Sequence, residues 1–130
     1  MANILNKEYS RFLNEIKSHI TVSRIQAVRS VNKELIKLYW EIGKVITERQ
    51  KKFGWGKGVV EQLSQDLISE HESFRGFSKD NLWRMRMFYL EYHDNSKLAQ
   101  LVPEIPWGHN ILIMQKVKGS KEREYYMRSC

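Results

Sequence analysis

Ile4, Leu5, Tyr9, Phe12, Leu13 and Ile16 recur three and four positions apart. That is the period of an amphipathic helix, expected to end near Ser18. A second, longer helix is expected from about Thr21 to Lys52. In it Ile25, Val28, Val31, Leu35, Leu38, Tyr39, Ile42, Val45 and Ile46 share one face at about 100° per residue, the face expected to turn inward. Gly54 and Gly56 supply the left-handed backbone that ends a helix. A third helix follows from Gly58 to Glu70, with Val59, Val60, Leu63, Leu67 and Ile68 inward. Ser73-Phe74-Arg75-Gly76-Phe77 breaks the pattern, and Ser78 is placed to cap a fourth helix from Lys79 to about Tyr92. Leu82, Met85, Tyr89 and Tyr92 form its inward stripe, and Trp83, Met87 and Leu90 a second apolar strip. Lys97 to Val102 has room for a short helix before Pro103 and Pro106. A fifth substantial helix is expected from about Gly108, carrying Ile111, Leu112, Met114 and Val117. Lys118-Gly119-Ser120 interrupts it, and Glu122 to Arg128 is again helical in pattern. With no alternating run of strand type, the pattern predicts an all-α fold: one compact domain, residues 1–130, of about five to six helices.

Composition narrows the setting. A chain of 130 residues with 42% hydrophobic and 28% charged positions is long enough to bury a core without disulfides or metals. No apolar run approaches the roughly 18 residues of a membrane span, and the N-terminus lacks the apolar stretch of a secretory signal, so the expected compartment is the cytoplasm. The single cysteine, Cys130, is the last residue and offers neither a disulfide nor a thiolate cluster. The net charge of +7 points to an acidic partner, nucleic acid before an anionic membrane surface. This charge is concentrated in residues 1–53, with eleven Lys and Arg against five acids; residues 54–103 have six against seven.

Little in the chain suggests catalysis. His19, His71, His93 and His109 are far apart and form no recognised ligand spacing, so neither a metal nor a cofactor is implied. Gly54-Trp55-Gly56-Lys57-Gly58 has glycines and a lysine but lacks the spacing and the Ser or Thr of a phosphate loop. A metal-dependent nuclease needs carboxylates converging beside a lysine. The one Glu-x-Lys, Glu15-Ile16-Lys17, has no aspartate before it and lies in the first amphipathic helix. No catalytic residue is therefore expected. Ile105-Pro106-Trp107-Gly108-His109-Asn110 reads as a structural joint, with the Trp107 ring against the core, its N–H on a carbonyl, and His109 in the first helical turn.

Two features suggest binding. On a helical wheel Arg29, Lys33, Lys37, Lys44 and Lys51 fall within about 80° of one another, with Trp40 in the same sector, an arrangement suited to phosphates and base stacking. The alternative is a solvated face with Trp40 covered by a neighbouring helix. The third and fourth helices would form a helix-turn-helix whose second helix brings Lys79, Asn81 and Arg84 to base edges. Its two apolar strips equally fit a plain bundle or a partner interface.

Four ordered segments add a resemblance. LYWEIGK (Leu38 to Lys44), GWGKGVVEQLSQDL (Gly54 to Leu67), GFSKDNLWRMRMFY (Gly76 to Tyr89) and PWGHNILIMQKVK (Pro106 to Lys118), the last followed by EREYYM (Glu122 to Met127), are similar to the N-terminal domain of the YhcG-type PD-(D/E)XK nuclease family of bacteria. The resemblance implies a helical DNA-binding or interaction domain, helix-turn-helix or winged-helix-like, that precedes a nuclease domain in longer relatives. Ending at Cys130 departs from that pattern, so the chain is expected to be a fragment or short paralogue that binds DNA without cutting it. A docking or dimerisation domain, with a homodimer as its simplest form, is the rival expectation.

Overall fold

The computed structural model describes residues 2–70 and 76–130, with the side chains of residues 2–6, 8, 12, 24 and 70 outside that description. Its elements are α1 (Ala2–Phe53), α2 (Gly58–Glu70), α3 (Lys79–Tyr92), α4 (Ser96–Leu101), a single 3-10 turn (Val102–Glu104), α5 (Trp107–Lys116) and α6 (Ser120–Ser129). Among the described residues there is no strand. The fold is all-α, as the periodicity implies. The expected break between the first two helices is absent, because nothing at Ser18 to Thr21 stops a helix. Thr21 does not cap a new start; its Oγ1 donates back to the carbonyl of Lys17 at 3.0 Å, inside a continuous α1. The expected break at 73–77 falls mostly on residues 71–75, which lie outside the described ones.

Residues 1–31 and 32–130 form two compact units. The described part of the first is a stretch of α1 on which Leu13, Ile16, Ile20 and Val28 are exposed. His19 approaches Glu15 at 4.0 Å, one helical turn away.

The second unit contains the rest of α1 and every other element. Residue 53 ends α1 and Gly54 follows at φ 66°, the left-handed stop its sequence implies. Ser78 caps α3 by accepting from the Asn81 backbone N–H at 3.2 Å. Asn95 caps α4 in the same way, through Leu98. One cluster of buried residues gathers Ile36 of α1, Phe88 and Tyr92 of α3, and side chains of α4, α5 and α6. A second joins Tyr39 and Ile46 of α1, Val60 of α2, and Leu82 and Met85 of α3. Each fully buried Leu, Ile, Met or Phe contributes about 1.5–3 kcal/mol by leaving water.

The inward face of α1 differs from the expected one. Ile36, Tyr39 and Ile46 are buried, whereas Leu35, Leu38 and Val45 remain exposed, Leu38 to 48%. The selecting residue is Gly43. A β-carbon there would overlap the Met85 carbonyl, so α1 approaches the α3 backbone through this one position and turns the Ile36/Tyr39/Ile46 side to it. On α3 the stripe is likewise shifted: Leu82, Met85, Phe88 and Tyr92 are buried, while Tyr89 is only half-buried.

Two polar side chains lock the C-terminal helices. Arg123 is almost fully buried; it donates from Nε to Val117 O at 2.6 Å, from one terminal nitrogen to Met114 O at 3.0 Å and from the other to Glu91 at 2.8 Å. This satisfies carbonyls at the end of α5. Asn110 is wholly buried and donates to the carbonyls of Val102 and Ile105, both at 3.0 Å, tying the 3-10 turn to α5.

Candidate nucleic-acid interface

The Trp107 joint positions much of what surrounds the candidate interface. Its ring meets Tyr39 at 4.9 Å and Phe88 at 5.1 Å between centroids, both edge-on, so it joins the two clusters. Its Nε1 donates to Asn81 Oδ1 at 2.9 Å, and the Asn81 amide nitrogen donates to the Gly76 carbonyl. Gly76 itself has φ 90°, where L side chains are strained, and stands against the Tyr39 hydroxyl. His109 is exposed at the start of α5.

These contacts change the set of residues available to a ligand. Asn81, expected at base edges, has both ends of its amide engaged inside the protein. Trp40, expected to stack from the basic face, is half-buried with its ring edge-on to Phe88 at 5.6 Å and Tyr89 at 5.5 Å. It therefore serves packing. Phe88 and Tyr89 of α3 cover Trp40 while Lys33, Lys37 and Lys51 in the same sector stay exposed, a distinction that no property of α1 alone discloses.

The cations have different surroundings. Lys33 pairs with Glu104 at 3.2 Å, with both side chains about half exposed, and Lys37 lies 4.0 Å from Glu34. Such surface pairs are weak and easily exchanged for phosphate. Lys44 is half-buried and Lys51 exposed on the same helix. Lys79 and Arg84 are exposed on α3. Arg29 is exposed in the unit of residues 1–31. Arg86, which the sequence did not single out, lies over the Trp83 ring at 5.2 Å and donates to Gln50 Oε1 of α1 at 2.6 Å. Only packing could reveal it, since Gln50 is distant in sequence.

Elsewhere burial pushes the Tyr92 phenol above its ordinary range, opposed by the nearby Arg123 guanidinium and reinforced by Glu91. Burial raises Tyr39 as well. Among the described residues no three His, Cys, Asp or Glu side chains come together as a metal-holding group. None of the described helices is long and apolar enough to cross a membrane.

This helical architecture, with its basic and apolar faces, belongs to a defined class. Residues 15–130 match the DUF1016 N-terminal domain, and the chain belongs to that family. It is similar to the Escherichia coli (strain K12) protein named "Putative nuclease YhcG", with 35% identity over 86 residues, which is 63% of this chain and 22% of that protein. The chain thus spans only a small part of the curated relative it matches. No solved structure matches it.

Proposed function

We propose that this domain binds DNA, without cutting it, on behalf of a nuclease module of the kind its family relative is named for, and that it does so in the cytoplasm. α2 would support α3, which presents Lys79 and Arg84 in the manner of a helix-turn-helix, while Lys33, Lys37 and Lys44 of α1 contact phosphates. Arg29 would be a further phosphate contact in its own unit. Asn81 and Trp40 are assigned to holding this surface in shape.

The observation that carries the reading is the crossing of the two cation-bearing helices. Gly43 brings α1 against Met85 of α3, and Gln50 of α1 holds Arg86 of α3 beside that crossing. Lys44 adjoins Gly43 and Lys51 adjoins Gln50 in the helix. A crossing of this kind sums positive charge from two elements, which one helix alone would not supply.

Fluorescence anisotropy with a labelled duplex of about 20–30 base pairs tests the proposal. Affinity should fall steeply with salt, each neutralised phosphate adding a slope of roughly −0.9 in log K against log salt. Lys37→Ala with Lys44→Ala should flatten the slope by about one to two units at unchanged sequence preference. Absence of binding at about 50 mM salt, where non-specific basic binders register, would refute it.

A further inference from the structure

The face of α1 that Gly43 turns away from α3 has its own chemistry. Leu38, Ile42 and Val45 form one wall of an apolar groove whose other wall is Leu63 and Leu67 of α2, enclosing about 340 Å³. The groove continues past Val59 and Trp55 into a further 250 Å³, where Arg49 is the one cation among the lining residues. Leu38, Val45 and Leu63 are exposed at 48%, 41% and 36%, an apolar surface that a folded chain does not leave wet without cause.

Beside Leu38 and Leu63 the groove is acidic, against the charge of the whole molecule, while towards Trp55 it meets Arg49. Glu34, Glu41 and Glu48 recur every seven residues on α1 and are exposed, with Glu41 itself lining the groove. On the other wall α2 carries the exposed acid Asp66 beside Leu63 and Leu67, and no Lys or Arg along its length. The lysines of α1, Lys37, Lys44 and Lys51, stand one row further round the helix, on the side away from Leu38 and Val45.

We propose that this groove is a docking site for an amphipathic protein helix whose apolar stripe enters between α1 and α2 and whose flanks carry Lys or Arg. Apolar residues at i, i+3 or i+4 and i+7 would replace the water now over Leu38, Val45 and Leu63, and the flanking cations would meet Glu41, Glu48 and Asp66. α1 then works on two sides, with its lysine row towards phosphates and its leucine face towards a protein. The proposal does not rest on DNA binding.

Two designed peptides of about 18 residues, each with Leu on one helical face, test it by calorimetry against the full chain without DNA. One carries Lys on its flanks and the other Glu. The net charge of +7 taken alone favours the Glu peptide. The groove favours the Lys peptide, which is expected to bind at least about tenfold tighter, with the preference shrinking as salt screens it. Leu38→Glu should abolish that binding while circular dichroism and the thermal midpoint stay near the parent's, since Leu38 is already half exposed. Glu41→Lys with Glu48→Lys should invert the peptide preference, and Lys37→Ala with Lys44→Ala should leave it unchanged. Preference for the Glu peptide, equal binding of both, or Lys-peptide binding that survives Leu38→Glu would overturn the proposal. So would self-association of the chain that is lost in Leu38→Glu, because a second copy would then be the occupant.

Discussion

Trp55 and Trp107 each stand beside a glycine where a helical pattern breaks, yet the fold uses them differently. Trp55 is 46% exposed and stacks on Phe53, two residues away, at 4.9 Å. Trp107 reaches Tyr39, Asn81 and Phe88, on two other helices, and belongs to both buried clusters. The difference lies in the neighbours. Gly54 is the left-handed stop of α1 with open space about it, and Trp55 beside it stacks on a near neighbour at the rim of the α1–α2 groove. Trp107 opens α5, directly after a 3-10 turn that Asn110 ties down, and is thereby held into the seam between α1 and α3.

The strongest way to break this comparison is Trp107→Ala, expected to cost about 3 kcal/mol in urea unfolding, the low end for large-to-small changes of aromatics because Trp107 is partly buried. A loss no larger than that of Trp55→Ala would mean the seam is held by something else. Gly43→Ala comes next, at about 1–3 kcal/mol for overpacking a close backbone contact. Its loss should be accompanied by a change in the near-ultraviolet signal of Trp107, because separating α1 from α3 disturbs both of its ring partners. An unchanged signal would uncouple the glycine from the joint.

Asn81→Ala sharpens the picture further. Removing the acceptor of Trp107 Nε1–H should cost about 1–2 kcal/mol while DNA affinity changes little. If stability holds and sequence preference is lost, Asn81 reads bases after all. The smallest effect is expected for Trp55→Ala, under about 1 kcal/mol in unfolding, because its ring is half in water and supported locally. A larger loss would show that Trp55 closes the α1–α2 groove and is not simply its rim.

Much of the fold was legible in the chain because its signals are local. The bounds of α2 and α3, the Ser78 cap and the Gly54 stop follow from period and backbone preference within a few residues, and they stand as expected. The boundary expected near Ser18 came from reading a loss of pattern as a stop where no residue breaks a helix, and α6 starts at Ser120, two residues before the expected Glu122. The candidate interface was less legible. Lys79 and Arg84 keep their exposed positions, but Trp40 and Asn81 are spent on contacts with residues far along the chain.

By itself the sequence determined which segments are helical, where most of them stop, that the charge is positive, and that α1 carries more apolar positions than one helix–helix contact can cover. Tertiary structure decided which of those positions go inside. A helix stripe is defined by spacing alone, and α1 has two apolar candidates: Leu35/Leu38/Val45 and Ile36/Tyr39/Ile46. The choice fell to Gly43, whose missing side chain lets α3 come close on one side only. That close approach half-buried Trp40, engaged Asn81 through Trp107, and left the Leu38 and Val45 face exposed.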